Sequence, residues 1–258
     1  MEWQSAGQAW GSRAVDWAYL FEPYSRPANM EVLDRCGVGA DTTLLDIGCG
    51  SGFALQLAAE RGATVAGLDA SRALLDIAQV RSPAADLQLG NMDELPWPDA
   101  RFDAVTSFNA IWAGCERAAA EAARVLRPGG RFGMTFWGAP KRMELLPFFM
   151  TVGQNSPPSH MQATLGQGET GRPGVAEALL ESAGMTVIAR GAVNVTNEFP
   201  DLDLFIRAAV ASGPAFPAVA EIGEERFREK LAAAYAGMAT PGLGLRITSE
   251  FGWLTATK

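Results

Sequence analysis

The sequence predicts an α/β fold, a doubly wound and mostly parallel sheet with helices on both faces. Three observations carry this. Short β-rich runs alternate with helix-period stretches between residues 42 and 137. The runs are almost continuously apolar, as strands covered on both faces must be. The first of them ends in Gly48-Cys49-Gly50-Ser51-Gly52, which turns straight into a helix.

The elements follow in order. The first forty residues read as helical. Trp3, Trp10 and Trp17 recur every seven residues, which sets them near one helix face. They either cover the core or form a lid over a ligand. Gly11-Ser12 is a possible break, Pro23 and Pro27 interrupt, and a second helix is expected from Ala28 to Arg35. Thr42 to Ile47 is the first strand. Phe53 to Arg61 is a helix with Leu55, Ala58 and Ala59 inward and Gly62 as its C-cap. Thr64 to Leu68 is the second strand, and Ser71 caps a helix from Arg72 to Val80. Leu87 to Leu89 is the third strand and Asp103 to Phe108 the fourth. Glu116 to Val125 is an Ala-rich helix closed by Arg127-Pro128-Gly129-Gly130, and Arg131 to Trp137 is the fifth strand. Residues 139–172, rich in Pro, Gly, Met and Gln, read as an irregular segment with short helices. Alternation resumes with a helix from Val175 to Ala183, a strand from Thr186 to Val195, and helices over Leu202 to Ala211 and Glu224 to Met238. A last strand runs from Leu245 to Thr255.

Composition narrows the function classes. The chain has 258 residues, with 21 Lys+Arg against 29 Asp+Glu and a net charge of −8. That disfavours a nucleic-acid partner. A 48% hydrophobic content is too high for a disordered chain. His160 is the one histidine, so a multi-histidine site is impossible. Cys36, Cys49 and Cys115 are odd in number and lack CxxC spacing, so neither a disulfide framework nor a metal site is expected, and a reducing cytoplasm is the default. No basic segment followed by an apolar run opens the chain, and no stretch approaches the roughly 20 apolar residues of a membrane span. No membrane partner is expected, and the oligomeric state is not predicted.

The glycine loop selects among ligands by its spacing. A dinucleotide fingerprint, G-x-G-x-x-G/A, would place a small residue where Phe53 stands. The Gly-Lys-[Ser/Thr] of a nucleotide-phosphate loop is absent. What stands here is Asp46-x-Gly48-x-Gly50-x-Gly52. Asp69 ends the next strand, about 20 residues after Gly48, where a carboxylate can accept both hydroxyls of a ribose. The plainer role for Asp69 is capping the following turn.

At these residues the sequence resembles the class I S-adenosylmethionine-dependent methyltransferases, in particular the small-molecule enzymes of the ubiquinone/menaquinone-biosynthesis type. The resemblance is carried by Leu44 to Gly52, by Val65-Ala66-Gly67-Leu68-Asp69-Ala70-Ser71, by Gly90 to Asp99 running into Phe102-Asp103-Ala104-Val105, and by Arg124 to Gly130. It implies a Rossmann-like sheet of seven strands with the last antiparallel. It also implies one domain over residues 1–258: an N-terminal helical lid (1–40), a cofactor-binding core (41–138), an acceptor-binding cap (139–172) and the C-terminal half of the sheet (173–258).

The implied cofactor is S-adenosyl-L-methionine, with S-adenosyl-L-homocysteine as product. Asp46, Gly48, Cys49, Gly50 and Gly52 would form the loop beside its methionine part. Asp69 would hold the ribose and Ala70 would lie against the adenine. The backbone N–H of Met92 and the side chain of Asn91 would read the adenine edge. The family usually has Asp at that position, but the Asn91 amide oxygen can still accept a hydrogen bond. Asn109 would lie near the methionine moiety, with Trp17 and Tyr24 in the lid.

The implied reaction moves a methyl group to a small, apolar or aromatic acceptor by in-line displacement, mainly through proximity and orientation. A base is needed only where the acceptor loses a proton, and His160 is the candidate; its other reading is a solvated loop residue. Trp112, Trp137 and His160 are candidate acceptor contacts, and core packing is the alternative for both tryptophans. Other readings of the chain are a fold relative that binds the cofactor but performs a reaction such as cyclisation, an NAD-dependent oxidoreductase, and an RNA or protein methyltransferase.

Overall fold

A computed structural model describes residues 3–158, 160, 168–240 and 242–258. At the N-terminus, α1 (Trp3–Gly11) and the short α2 (Ala14–Asp16) run into a π-helical turn, Trp17–Phe21, and a 3₁₀ turn, Glu22–Ser25. The helix α3 (Arg26–Arg35) follows, with Pro27 in its first turn, where a missing N–H costs nothing. The core alternates as β1 (Thr43–Ile47), α4 (Phe53–Ala59), β2 (Thr64–Asp69), α5 (Arg72–Arg81), β3 (Asp86–Leu89), β4 (Phe102–Phe108), α6 (Glu116–Val125) and β5 (Leu126–Trp137).

The seven strands lie in the order β3-β2-β1-β4-β5-β7-β6, where β6 is Thr186–Phe199 and β7 is Leu245–Thr257. Pairing is parallel from β3 to β5, and β7 runs antiparallel to both β5 and β6. This is the sheet the sequence predicts. Its two faces follow from strand alternation. Leu44, Val65, Ala104 and Trp253 face a cluster with Val32 and Leu33 of α3 and Leu55 and Leu57 of α4. Their neighbours Leu45, Ala66, Val105 and Leu254 face the alanines of α6 and Leu179 and Leu180 of α8 (Val175–Ser182). The alanine stripe of α6 lets that helix lie close to the sheet.

Several boundaries differ from the sequence expectation. β5 begins at Leu126, so Arg127-Pro128-Gly129-Gly130 lies within the strand span; a register shift near Phe102 and a φ of +77° at Gly129 absorb the irregularity. β6 extends past Val195 to Phe199. Its far end pairs with β7 through Asn197 and Glu198, polar residues that hide an edge strand from an apolar pattern.

The described part of residues 139–172 carries short helices, as expected. It contains a 3₁₀ turn, Pro140–Arg142, and the ten-residue α7 (Leu146–Asn155). After α9 (Leu202–Val210), an unexpected α10 (Ala215–Ile222) precedes α11 (Glu224–Tyr235). Pro217 masks α10 in the sequence, yet it stands in the first turn, where its N–H would be unpaired anyway.

A further apolar cluster gathers Phe21 and Tyr24 of the N-terminal turns, Phe148 of α7, Phe205 of α9, Phe227 and Tyr235 of α11, and Phe251 of β7. It lies beyond Trp137, the last residue of β5, which pairs with Phe251. Among the described residues no single helix is long and apolar enough to cross a membrane.

Candidate functional site

The strand order reverses beside β1, which pairs with β2 on one side and β4 on the other. In a doubly wound sheet the crevice at that reversal, at the carboxyl ends of the strands, is where ligands bind. The glycine loop leaves the end of β1 there. Gly48, Gly50 and Gly52 have φ of +72°, +55° and +76°, the left-handed region that side chains rarely adopt. Two of them are also sterically required. A Cβ on Gly48 would stand 2.3 Å from the Ala110 Cβ, and one on Gly52 would stand 2.7 Å from the Ala78 Cβ.

Asp69 reaches from β2 to hold the loop. Its Oδ2 accepts from the Gly50 N–H at 2.8 Å, and its Oδ1 accepts from the Ser71 N–H at 2.8 Å. It thus caps the turn, the plainer of its two expected roles, and two oxygens with two lone pairs each leave acceptor capacity over. Burial raises its pKa, and the hydrogen bonds from Ser71 and Gly50 oppose the rise.

Asp46 is 1% exposed and accepts from Thr106 Oγ1 at 2.8 Å. Burial pushes its carboxyl up to about 8. Cys49 is buried, and burial lifts its thiol well above the ordinary range, which makes it inert. Gly67 makes room for it, since a Cβ there would stand 2.8 Å from the Cys49 Sγ.

Asn109, just past β4, adopts φ +54°, and its backbone N–H donates to the Thr135 carbonyl at 3.2 Å. Its Oδ1 is buried and has no hydrogen-bond partner among the described residues. An orphaned acceptor at the crevice suits a donor on a bound molecule. The Asn91 Oδ1 accepts from the Asp93 N–H at 3.1 Å, an Asx turn that aims its side chain. Met92 packs half-buried against the sheet cluster that faces α6.

The N-terminal helix α1 lies directly on this edge. A Cβ on Gly7 of α1 would stand 2.0 Å from the Ala70 carbonyl oxygen, and one on Gly11 would stand 2.4 Å from the Ser71 Oγ. The predicted adenine contact, Ala70, is thus covered by α1.

Trp17 and Tyr24 belong to a row of ring contacts that runs Trp10–Trp17–Phe21–Tyr24–Phe251–Trp137–Phe149, with centroids 4.7 to 5.6 Å apart. Trp137 therefore joins the N-terminal turns to α7. Trp112 instead packs against the cluster over α6, on a different cluster from Trp137. The backbone N–H of His160 donates to the Pro157 carbonyl at 2.9 Å, and the residue is half-buried. Its neighbour Met161 lies outside the described residues.

Glu22, a residue the sequence reading missed, hydrogen-bonds to the glycine loop from the N-terminal 3₁₀ turn. Its Oε2 accepts from Arg81 Nη1 at 2.6 Å and also from the Ser51 hydroxyl. The available signal was a lone charge inside the apolar run Leu20-Phe21-Glu22-Pro23. Arg81 lies one residue past the helix expected from Arg72 to Val80, and nothing local marks it.

Comparison with known proteins agrees with this geometry. Residues 45–134 match a family described as a methyltransferase domain. An uncharacterized Mycobacterium tuberculosis protein, Rv1405c, is 34% identical over 174 residues, covering 60% of this chain and 64% of that protein. The match thus spans less than two thirds of that relative's length. A Mycolicibacterium smegmatis protein named as a probable S-adenosylmethionine-dependent methyltransferase is 37% identical over 115 residues, covering 44% of this chain and 42% of its own. Among solved structures, a geranyl diphosphate C-methyltransferase from Streptomyces coelicolor, in complex with Mg²⁺, geranyl diphosphate and S-adenosyl-L-homocysteine, superposes with a TM-score of 0.52 at 17% identity, covering 90% of this chain and 79% of that one.

Proposed function

We propose that the chain is a class I S-adenosylmethionine-dependent methyltransferase, a reading supported by the methyltransferase-domain match over residues 45–134, and that it transfers a methyl group to a small apolar or aromatic acceptor in the cytoplasm. The observation that carries this is the union of the Asp46-to-Gly52 loop with Asp69 at one sheet edge, joined by the Gly50–Asp69 hydrogen bond. When bound, the cofactor supplies an electrophilic methyl on a sulfonium.

The residues of the chain do the remaining work. Gly48, Gly50 and Gly52 allow close backbone approach, and Asp69 accepts from ribose hydroxyls. Asn91 and the Met92 N–H read the adenine edge beside Ala70. Asn109 offers its orphaned oxygen to the amino-acid end. Residues 1–40 serve as a lid carrying Trp17 and Tyr24, and residues 139–172 serve as a cap over the acceptor. Trp137, in a row of aromatic edges, presents a flat apolar wall, while Trp112 and His160 flank the acceptor. His160 takes a proton where the acceptor must lose one. Orientation and exclusion of water account for the rest of the rate.

Incubation with methyl-labelled S-adenosylmethionine and a fractionated metabolite extract tests the reading. Label is expected in a low-molecular-weight apolar fraction. Cofactor binding with no label in any fraction would point instead to a non-methylating use of the site, such as cyclisation.

A further inference from the structure

Glu22 is a buried carboxylate that ribose, adenine and acceptor contacts leave unused. It is 9% exposed, in the 3₁₀ turn of the lid. Arg81 ties that turn down from the opposite side. Its Nη1 meets Glu22 Oε2 at 2.6 Å and the Ser51 carbonyl at 3.3 Å, and its Nη2 donates to the Ala18 carbonyl at 2.7 Å. Ala18 lies in the π-helical turn, where the wider register frees carbonyls from the α pattern. One guanidinium thus bridges α5, the glycine loop and two points of the lid.

A plain latch would need only a neutral pair, yet the charge here does not balance. Asp46, Asp69 and Glu22 all bear on the same loop. Glu22 raises the pKa of Asp46, and all three carboxylates raise that of the Cys49 thiol. Arg81 is the guanidinium on Glu22 and burial keeps Asp46 protonated below about 8, so the charge left without a cation is that of Asp69, held by backbone N–H groups. Buried carboxylates without matching cations are costly, and a bound cation relieves that cost. The second oxygen of Glu22, Oε1, stands 3.3 Å from the place a Cβ would take on Gly50. It therefore faces the stretch of loop along which the methionine part of the cofactor passes.

We propose that Glu22 is a cofactor-positioning residue, its carboxylate receiving the α-ammonium group of the zwitterionic amino-acid end of S-adenosylmethionine while Arg81 and Ser51 hold it in that orientation. The lid is then a wall of the cofactor site as well as a cover. This rests on the methyltransferase reading and extends it to a residue of the lid.

Calorimetry on the full chain with three adenosyl ligands tests the proposal. S-adenosylmethionine and S-adenosylhomocysteine carry the ammonium; 5′-methylthioadenosine carries no charge beyond the adenosine. Glu22→Gln is expected to weaken the first two by about tenfold, as for loss of a charge-assisted hydrogen bond, and to leave methylthioadenosine within about twofold. A parallel loss for all three ligands would show that Glu22 acts only as a latch, and no loss for any would show that it does not act on the site. Either result overturns the proposal. Should Glu22→Gln fail to fold because Arg81 is left uncompensated, the double variant Glu22→Gln/Arg81→Met removes both charges and gives the same comparison. A wild-type chain that bound none of the three ligands would refute the methyltransferase reading itself.

Discussion

Asp69→Ala tests the hub of the site, and the structure gives its cost. The side chain satisfies two backbone N–H groups, the part-buried one of Gly50 and the buried one of Ser71, each at 2.8 Å. Leaving a buried donor unpaired costs about 1–3 kcal/mol, so the pair represents about 2–6 kcal/mol. Against this, the substitution removes a carboxylate whose pKa burial has raised, which returns part of the loss. The expected net destabilisation is therefore at the low end, about 2–3 kcal/mol, before any ligand is added. For a chain of this size that lowers the melting temperature by about 4–12 °C. Thermal unfolding of the ligand-free protein, followed by near-ultraviolet circular dichroism, measures it. Cofactor binding should weaken as well, since the loop loses its tether and the ribose its acceptor. An unchanged ligand-free melting temperature would refute the claim that Asp69 organises the loop, whatever happened to binding.

Three further outcomes are expected. Gly52→Ala forces a side chain to φ +76° with its Cβ 2.7 Å from the Ala78 Cβ; it should cost about 2 kcal/mol or more, read as a lower denaturant midpoint. Asp46 titrates from 3.8 in the unfolded chain but is pushed up to about 8 when folded, so the folded chain holds the extra proton between those values. The stability this contributes is present below 3.8 and lost as pH rises towards about 8. Denaturation midpoints should fall across that window in the wild type and fall less in Asp46→Asn; equal slopes would refute the assignment. Glu22 and Asp69 shift in the same direction, whereas the lowered carboxyls of Asp16, Asp103, Glu121 and Glu177 contribute stability that is lost only as pH falls below their ordinary values of 3.8 and 4.5, at the acid end of the window. Finally, His160→Ala should reduce methyl transfer while leaving the cofactor dissociation constant unchanged; unaltered turnover would leave orientation alone as the source of rate.

Legibility followed the range of the interactions. The strands β1, β2 and β4 were readable because burial on both faces makes them continuously apolar. Ser71 was readable as a cap because its hydroxyl accepts from a backbone N–H three residues on, Leu74 at 3.3 Å. The glycine loop was readable because left-handed backbone selects glycine locally. β6 was underread because half of an edge strand faces water, and α10 because Pro217 interrupts its short apolar run.

By itself, then, the sequence determined the sheet, the crossover helices and the loop that a cofactor requires, since each depends on periodicity or dihedral preference within a few residues. Tertiary structure alone decided which distant groups meet there. Glu22 and Arg81 are 59 positions apart, and nothing local in either marks the partner. The apolar cluster beyond β5 is likewise assembled from the lid, α7, α9, α11 and β7. Its members read individually as ordinary amphipathic faces. Packing chooses among such faces by shape and by the need to pair buried charge, and that choice is not written in any one segment.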